Sequence, residues 1–407
     1  MELKGDKVNI SSNLFKNKRN QKMLKQGIST ELPELKIDDL VIKNSIIQGG
    51  MGVGISMSGL ASAVADQGCI GVMSSVGLGL LQDNDLDNYR QGNLIALREE
   101  IRKAKQMSKG VIGLNIMVAV SDYDDLVTTA IEEEIDMLFL GAGLPLKLPQ
   151  NVSVDQLRSI KTKIFPIVSS ARAAKIIFQT WDKKFDHVPD GVVVEGPKAG
   201  GHLGFKTEQI DDVEYELEKI VPQVVEQIIP FREKYGKDLP VIAAGGIFTG
   251  EDIFRFLQLG ASGVQMGTRF VATNECDADI KFKEQYIYCK KEDIVIIKSP
   301  VGLPGRAIIN NFLRDVSMGI KKPFTCPWKC LKTCDFKTSL YCIAKALMNA
   351  KIGDLAQGFS FAGSNAYRIE NIISVKELIE SLKKEFENAC IQFNKLLEPA
   401  LIPIKVR

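Results

Sequence analysis

The stretches PVIAAGGI (240–247) and SGVQMGTRF (262–270) decide the fold. Each is a short apolar run that ends in glycine, and a helical pattern from Thr249 to Leu259, closed by Gly260, joins them. Strand, glycine turn, helix, strand is the pattern of a parallel βα unit. The same pattern extends towards the N-terminus through SIIQ (45–48) followed by Gly49-Gly50-Met51-Gly52, GVMSS (71–75), VIGLNIMV (111–118), DMLFL (136–140) before Gly141-Ala142-Gly143, KIFPIVSS (163–170) and GVVVEG (191–196). Eight strand candidates spaced roughly 20–50 residues apart predict an α/β fold, a (β/α)8 TIM barrel. A doubly wound sheet would concentrate its glycines in one first turn, whereas here they follow strands one, four, six, seven and eight. Beyond residue 270 the rhythm breaks. A helix near 275–290, the run IVIIKSPVGLPGRAIINNFL (294–313), four closely spaced cysteines and a final helix near 374–395 make up an appended Cys-containing C-terminal helical region. The expected organisation is an N-terminal arm (1–35), the barrel (36–272) and an extension (273–407) that folds back on the barrel mouth.

The bulk numbers remove several classes. The 407 residues carry 52 basic and 50 acidic side chains, so no single-sign field marks nucleic acid as a partner. No apolar stretch reaches the ~18 residues of a spanning helix, and the first 26 residues lack the continuous apolar run of an export signal. A cytoplasmic enzyme acting on a small molecule, with no nucleic acid and no membrane, is the expectation. A homodimeric second copy and an electron-transfer protein stay open as partners.

Two loop sets carry the chemistry. Ala244-Gly245-Gly246-Ile247 ends strand seven and opens a helix, and Gln265-Met266-Gly267-Thr268-Arg269 ends strand eight. Barrels hold phosphate at these two positions, because glycine lets backbone N–H groups approach the oxygens and a helix N-terminus adds its dipole. Strand six leads into Glu195-Gly196-Pro197-Lys198-Ala199-Gly200-Gly201-His202-Leu203-Gly204. His202 is one of only two histidines. Flanked by glycines on the mouth, its imidazole can approach a planar ligand and exchange protons near neutral pH. His187, in the polar connection DKKFDHVPD, reads as a surface residue.

QGGMGVGIS (48–56), the AGGH loop (199–202), PVIAAGGI and GVQMGTRF (263–270) resemble the nitronate monooxygenase family, formerly 2-nitropropane dioxygenases, including its flavin-dependent enoyl-ACP reductase branch. The likeness covers about residues 36–315, with a weaker tail match at Phe361-Ala362-Gly363-Ser364. It implies FMN across the strand ends. Gly50 and Met51 would line the flavin after strand one, and Asn115 would hydrogen-bond the isoalloxazine or ribityl group. Gly201, Gly245, Gly246, Gly267 and Thr268 would hold the phosphate, with Gln265 ending the same strand. His202 would be the catalytic imidazole, as a base or by orienting a substrate oxygen. Ser74 faces the pocket or merely ends its strand. The first-strand loop, GGMGVG, lies nearer the reductase pattern.

Cys326-Pro-Trp-Lys-Cys330-Leu-Lys-Thr-Cys334, with Cys342 beyond, offers four thiolates. Without an export signal disulfides are not expected. A [4Fe–4S] cluster, a structural zinc or unliganded cysteines are the open readings. A nucleophilic-cysteine dehydrogenase on the same barrel is disfavoured, since no cysteine follows strands three to seven. Three functions stay open. The leading one is nitronate oxidation with O2 and no nicotinamide. The second is enoyl-thioester reduction with NAD(P)H as reductant. The third is flavin-based electron transfer.

Overall fold

The computed structural model describes residues 29–81, 89–322, 324–326 and 328–397. A short hairpin comes first, β1 (Leu35–Ile37) and β2 (Leu40–Ile42). The barrel strands are β3 (Ile46–Gln48), β4 (Ile70–Ser74), β5 (Ile112–Met117), β6 (Met137–Gly141), β7 (Lys163–Val168), β8 (Val192–Glu195), β10 (Val241–Ala244) and β11 (Gly263–Met266). All neighbours are parallel, and β11 closes the ring by pairing with β3. The eight runs identified in the sequence are these eight strands.

Period-two alternation sets what faces inward. Ile47, Ile70, Val72, Met137, Phe139, Phe165, Val193 and Ile242 fill the barrel, and Leu35, Ile37 and Ile42 of the hairpin join that core, covering the N-terminal end. Phe139 and Phe165 meet at 5.8 Å between ring centroids. Gly113 makes room for them: a Cβ there would stand 2.7 Å from the Phe139 ring. The complementary set (Leu114, Leu138, Val192, Val194, Val241, Val264) faces the surrounding helices. The inward row becomes largely polar towards the mouth. Ser74 pairs in register with Asn115, and Glu195, Ala244 and Gln265 form a second register row.

Two α-helices lying between barrel strands have no counterpart in the sequence reading. One is Val154–Ser159; the other is Leu217–Tyr235, interrupted by Pro222 and Pro230. The prolines mask a helical period that Leu217, Ile220, Val221, Val224, Ile228 and Phe231 bury. The C-terminal region is also not purely helical. β12 (Ile294–Lys298) and β13 (Pro304–Ile308) form a hairpin, and β13 pairs antiparallel with the short β9 (Gly201–His202). His187 is half-buried against Trp181 rather than on the surface, and burial pushes its imidazole down from 6.5.

Candidate active site

A cavity of about 300 Å3 opens at the C-terminal mouth of the barrel. Every sequence-predicted contact faces it: Gly50, Met51, Ser74, Asn115, Gly201, His202, Gly245, Gly246, Gln265, Gly267 and Thr268. Gly50 and Gly246 are required by space. A Cβ on Gly50 would fall 2.4 Å from Cβ of Asn115, and one on Gly246, at φ +84°, would fall 2.8 Å from Cβ of Lys198. Gly245 (φ +95°) and Gly201 (φ +78°) are also left-handed.

The N-terminus of the helix after β10 is capped from within the protein. Helix Gly250–Gln258 starts beyond the glycines, with Thr249 as its N-cap in a reciprocal pair with Asp252. The Gly250 N–H donates to Glu385 of helix Val375–Leu397 at 2.7 Å. The cavity is lined here by the loop 245–248 rather than by that helix end.

The tail residues Phe361–Ser364 stand on these loops. The Gly363 N–H donates to Oγ1 of Thr268 (3.2 Å), and the Ser364 N–H to the Lys198 carbonyl (3.1 Å). Asn365, which carried no role in the sequence, donates to the Gly246 carbonyl (2.7 Å). Arg306, buried on β13, donates to the carbonyls of Pro197 and Ala199 and fixes the loop that carries His202. Only folding brings these residues together, since more than 100 positions separate Arg306 from that loop.

His202 is held on two sides. Its Nε2 lies 2.7 Å from Oγ of Ser299, and its ring meets Phe361 edge-on at 4.9 Å. Burial pushes its pKa down to about 4, so the imidazole is neutral at physiological pH. Glu195, quoted in the sequence without a role, faces the same cavity, and burial pushes its carboxyl up to about 7. The signal that finds it is the alternation along β8: Val193 points into the barrel, so Glu195 does too.

Gln265 Oε1 is buried with no hydrogen-bond partner among the described residues, an acceptor that awaits a ligand N–H or O–H. That orphan, with the glycine-lined floor, fits the polar edge and phosphate of a flavin. Of the four clustered cysteines, only Cys330 reaches the cavity wall. Among the described residues no three His, Cys, Asp or Glu side chains form a metal-holding group.

A barrel with such a mouth has the architecture of a cofactor-dependent oxidoreductase, and comparison with known proteins supplies the family. The chain belongs to the nitronate monooxygenase family, whose model matches residues 34–385. It is a flavin oxidoreductase. Among curated proteins it is 25% identical over 292 residues to (3aS,4S,5R,7aS)-5-hydroxy-7a-methyl-1-oxo-octahydro-1H-indene-4-carboxyl-CoA dehydrogenase of Mycobacterium tuberculosis, covering 72% of this chain and 69% of that one. It is 28% identical over 218 residues to a probable nitronate monooxygenase of Staphylococcus saprophyticus, covering 53% and 55%. The structure of FabK from Thermotoga maritima superposes with a TM-score of 0.66 at 28% identity, over 87% of this chain and 96% of that one. Among the described residues no helix is long and apolar enough to cross a membrane.

Proposed function

We propose that the protein is an FMN-dependent nitronate monooxygenase that oxidises small alkyl nitronates with O2. The observation that carries this reading is the state of His202. A neutral imidazole whose protonation is opposed by burial is a weak base for pulling a proton from carbon. It suits a substrate that arrives already deprotonated. Ser299 fixes Nε2 and the Phe361 edge fixes the ring plane, which leaves Nδ1 for a nitro oxygen. FMN, when bound, would supply the redox chemistry between the nitronate and oxygen. Gly245, Gly246, Gly267 and Thr268 would hold its phosphate, with Gly201 beside them, and Asn115 and Gln265 would meet its polar edges. Gly50 and Met51 shape the floor beside Ser74.

The test is oxygen uptake on adding propyl nitronate without any nicotinamide. The wild type should turn over, and His202→Ala should keep its flavin while losing about 10²–10³ in kcat/KM, the usual cost of one oriented oxyanion donor. Equal activity in the variant removes His202 from the reaction.

A second reading, reduction of an enoyl thioester by NAD(P)H, has one specific support. Met117, Val120, Leu331, Ile343 and Leu347 extend the cavity wall as an apolar surface suited to an acyl chain. FabK is also among the matched structures. In that reading His202 donates to the thioester carbonyl, and uptake of oxygen with nitronate alone is absent.

A further inference from the structure

Residues 318–342 join helix Asn311–Ser317 to helix Ile343–Lys351, and the described residues among them form no helix and no strand beyond one isolated bridge, Val120 to Leu331. A connection of this length without structure of its own is uncommon in a compact enzyme. Yet it is pinned across the barrel mouth. The Ser121 N–H donates to the Cys330 carbonyl (3.0 Å) and the Lys332 N–H to the Ala119 carbonyl (2.9 Å), while the Lys322 N–H donates to Leu340 at its base (2.7 Å). The segment carries four of the eight cysteines.

We propose that Cys326, Cys330, Cys334 and Cys342 ligate a [4Fe–4S] cluster at the wall of the flavin cavity. All four are half-buried free thiols. Cys330 has each of the other three as an electrostatic neighbour. In the thiol form the four sulfurs do not yet converge on a common point. A chain with no helix or strand to break among its described residues can close around a metal centre, and the binding free energy of the centre orders it.

Three features of the surroundings suit a sulfur-rich anionic group. Cys342 is the N-cap of helix Ile343–Lys351, with its sulfur beside the first-turn N–H groups of Ala344 and Lys345 but making no cap hydrogen bond to them. Ser339 lies beside Cys334, its hydroxyl donating to the Asp335 carbonyl (2.7 Å). The indole N–H of Trp328, two residues before Cys330, is buried with no acceptor among the described residues. Hydrogen bonds to sulfur and partial burial are the levers by which proteins hold and tune such clusters. Cys330 places the site against the flavin cavity itself, which distinguishes it from a zinc staple remote from the chemistry.

Anaerobic purification followed by iron, zinc and acid-labile sulfide analysis decides the proposal. The full-length protein, as isolated or after incubation with ferrous iron and sulfide, should hold about four iron and about four sulfide per chain, with a reduced-state electron paramagnetic resonance signal. Cys326→Ser and Cys334→Ser, neither on the cavity wall, should lose the iron and keep the flavin. Cys69→Ser, at a buried thiol outside the segment, should keep both. Stoichiometric zinc without sulfide overturns the cluster, as does metal-free protein that stays metal-free after reconstitution. Should the serine variants fail to fold, the wild-type stoichiometry and its spectrum still decide.

Discussion

At the scale of single residues, the site is governed by two buried ionisable groups whose pKa values move in opposite directions. Burial holds His202 neutral down to about 4 and keeps Glu195 protonated up to about 7. In flavin-free protein the folded Glu195 therefore binds a proton between 4.5 and about 7 that the unfolded chain releases, so this residue costs stability as pH rises through that window. Glu195→Gln should be more stable than wild type at pH 8 by about 1 kcal/mol, allowing for solvent in the cavity, and indistinguishable at pH 4. Urea denaturation at the two pH values measures this, and equal differences at both refute the shifted carboxyl. The wild-type kcat/KM should inflect near the carboxyl value of about 7, and Glu195→Gln should flatten the profile between about pH 8 and 5, because His202 stays neutral there. An inflection near 6.5 that survives in the variant would show that His202 titrates with an ordinary pKa. Gly246→Val should fold and lose most of its flavin, since at φ +84° the side chain meets Lys198 at the phosphate approach. Stoichiometric flavin in that variant would displace the phosphate from this loop.

At the scale of elements, the active site is built by two structures that meet. The barrel supplies strand ends, and the β12–β13 hairpin supplies Ser299 and Arg306, with β13 extending β9 so that Gly305 pairs with His202. Arg306→Met should leave the barrel folded but free the loop carbonyls of Pro197 and Ala199. The expected result is a raised KM with little change in unfolding midpoint; an unchanged KM would mean that the loop holds itself. The barrel strands were legible in the sequence because each is a short apolar run ended by a turn. The helix Leu217–Tyr235 was not, because Pro222 and Pro230 break the local signal and only packing against the barrel restores it. The capping of the helix after β10 was equally hidden: Glu385, distant in sequence, takes the Gly250 N–H.

At the scale of the whole molecule, the glycine loops and His202 could be read from local pattern, whereas their partners could not. Ser299, Arg306, Phe361 and Asn365 reach the mouth only because the C-terminal region crosses it, and no spacing rule announces that crossing. Glu195 lay in plain view, but its meaning depends on the register of a closed barrel. The family fixes a flavin oxidoreductase, and what distinguishes its possible reactions is the source of the electrons. The most direct measurement is an anaerobic visible-spectrum titration of the purified protein with an alkyl nitronate in one cuvette and NADH or NADPH in another. Bleaching of the flavin band by the nitronate alone is the predicted result. Bleaching only by a nicotinamide would contradict the nitronate reading and establish the reductase reaction in its place.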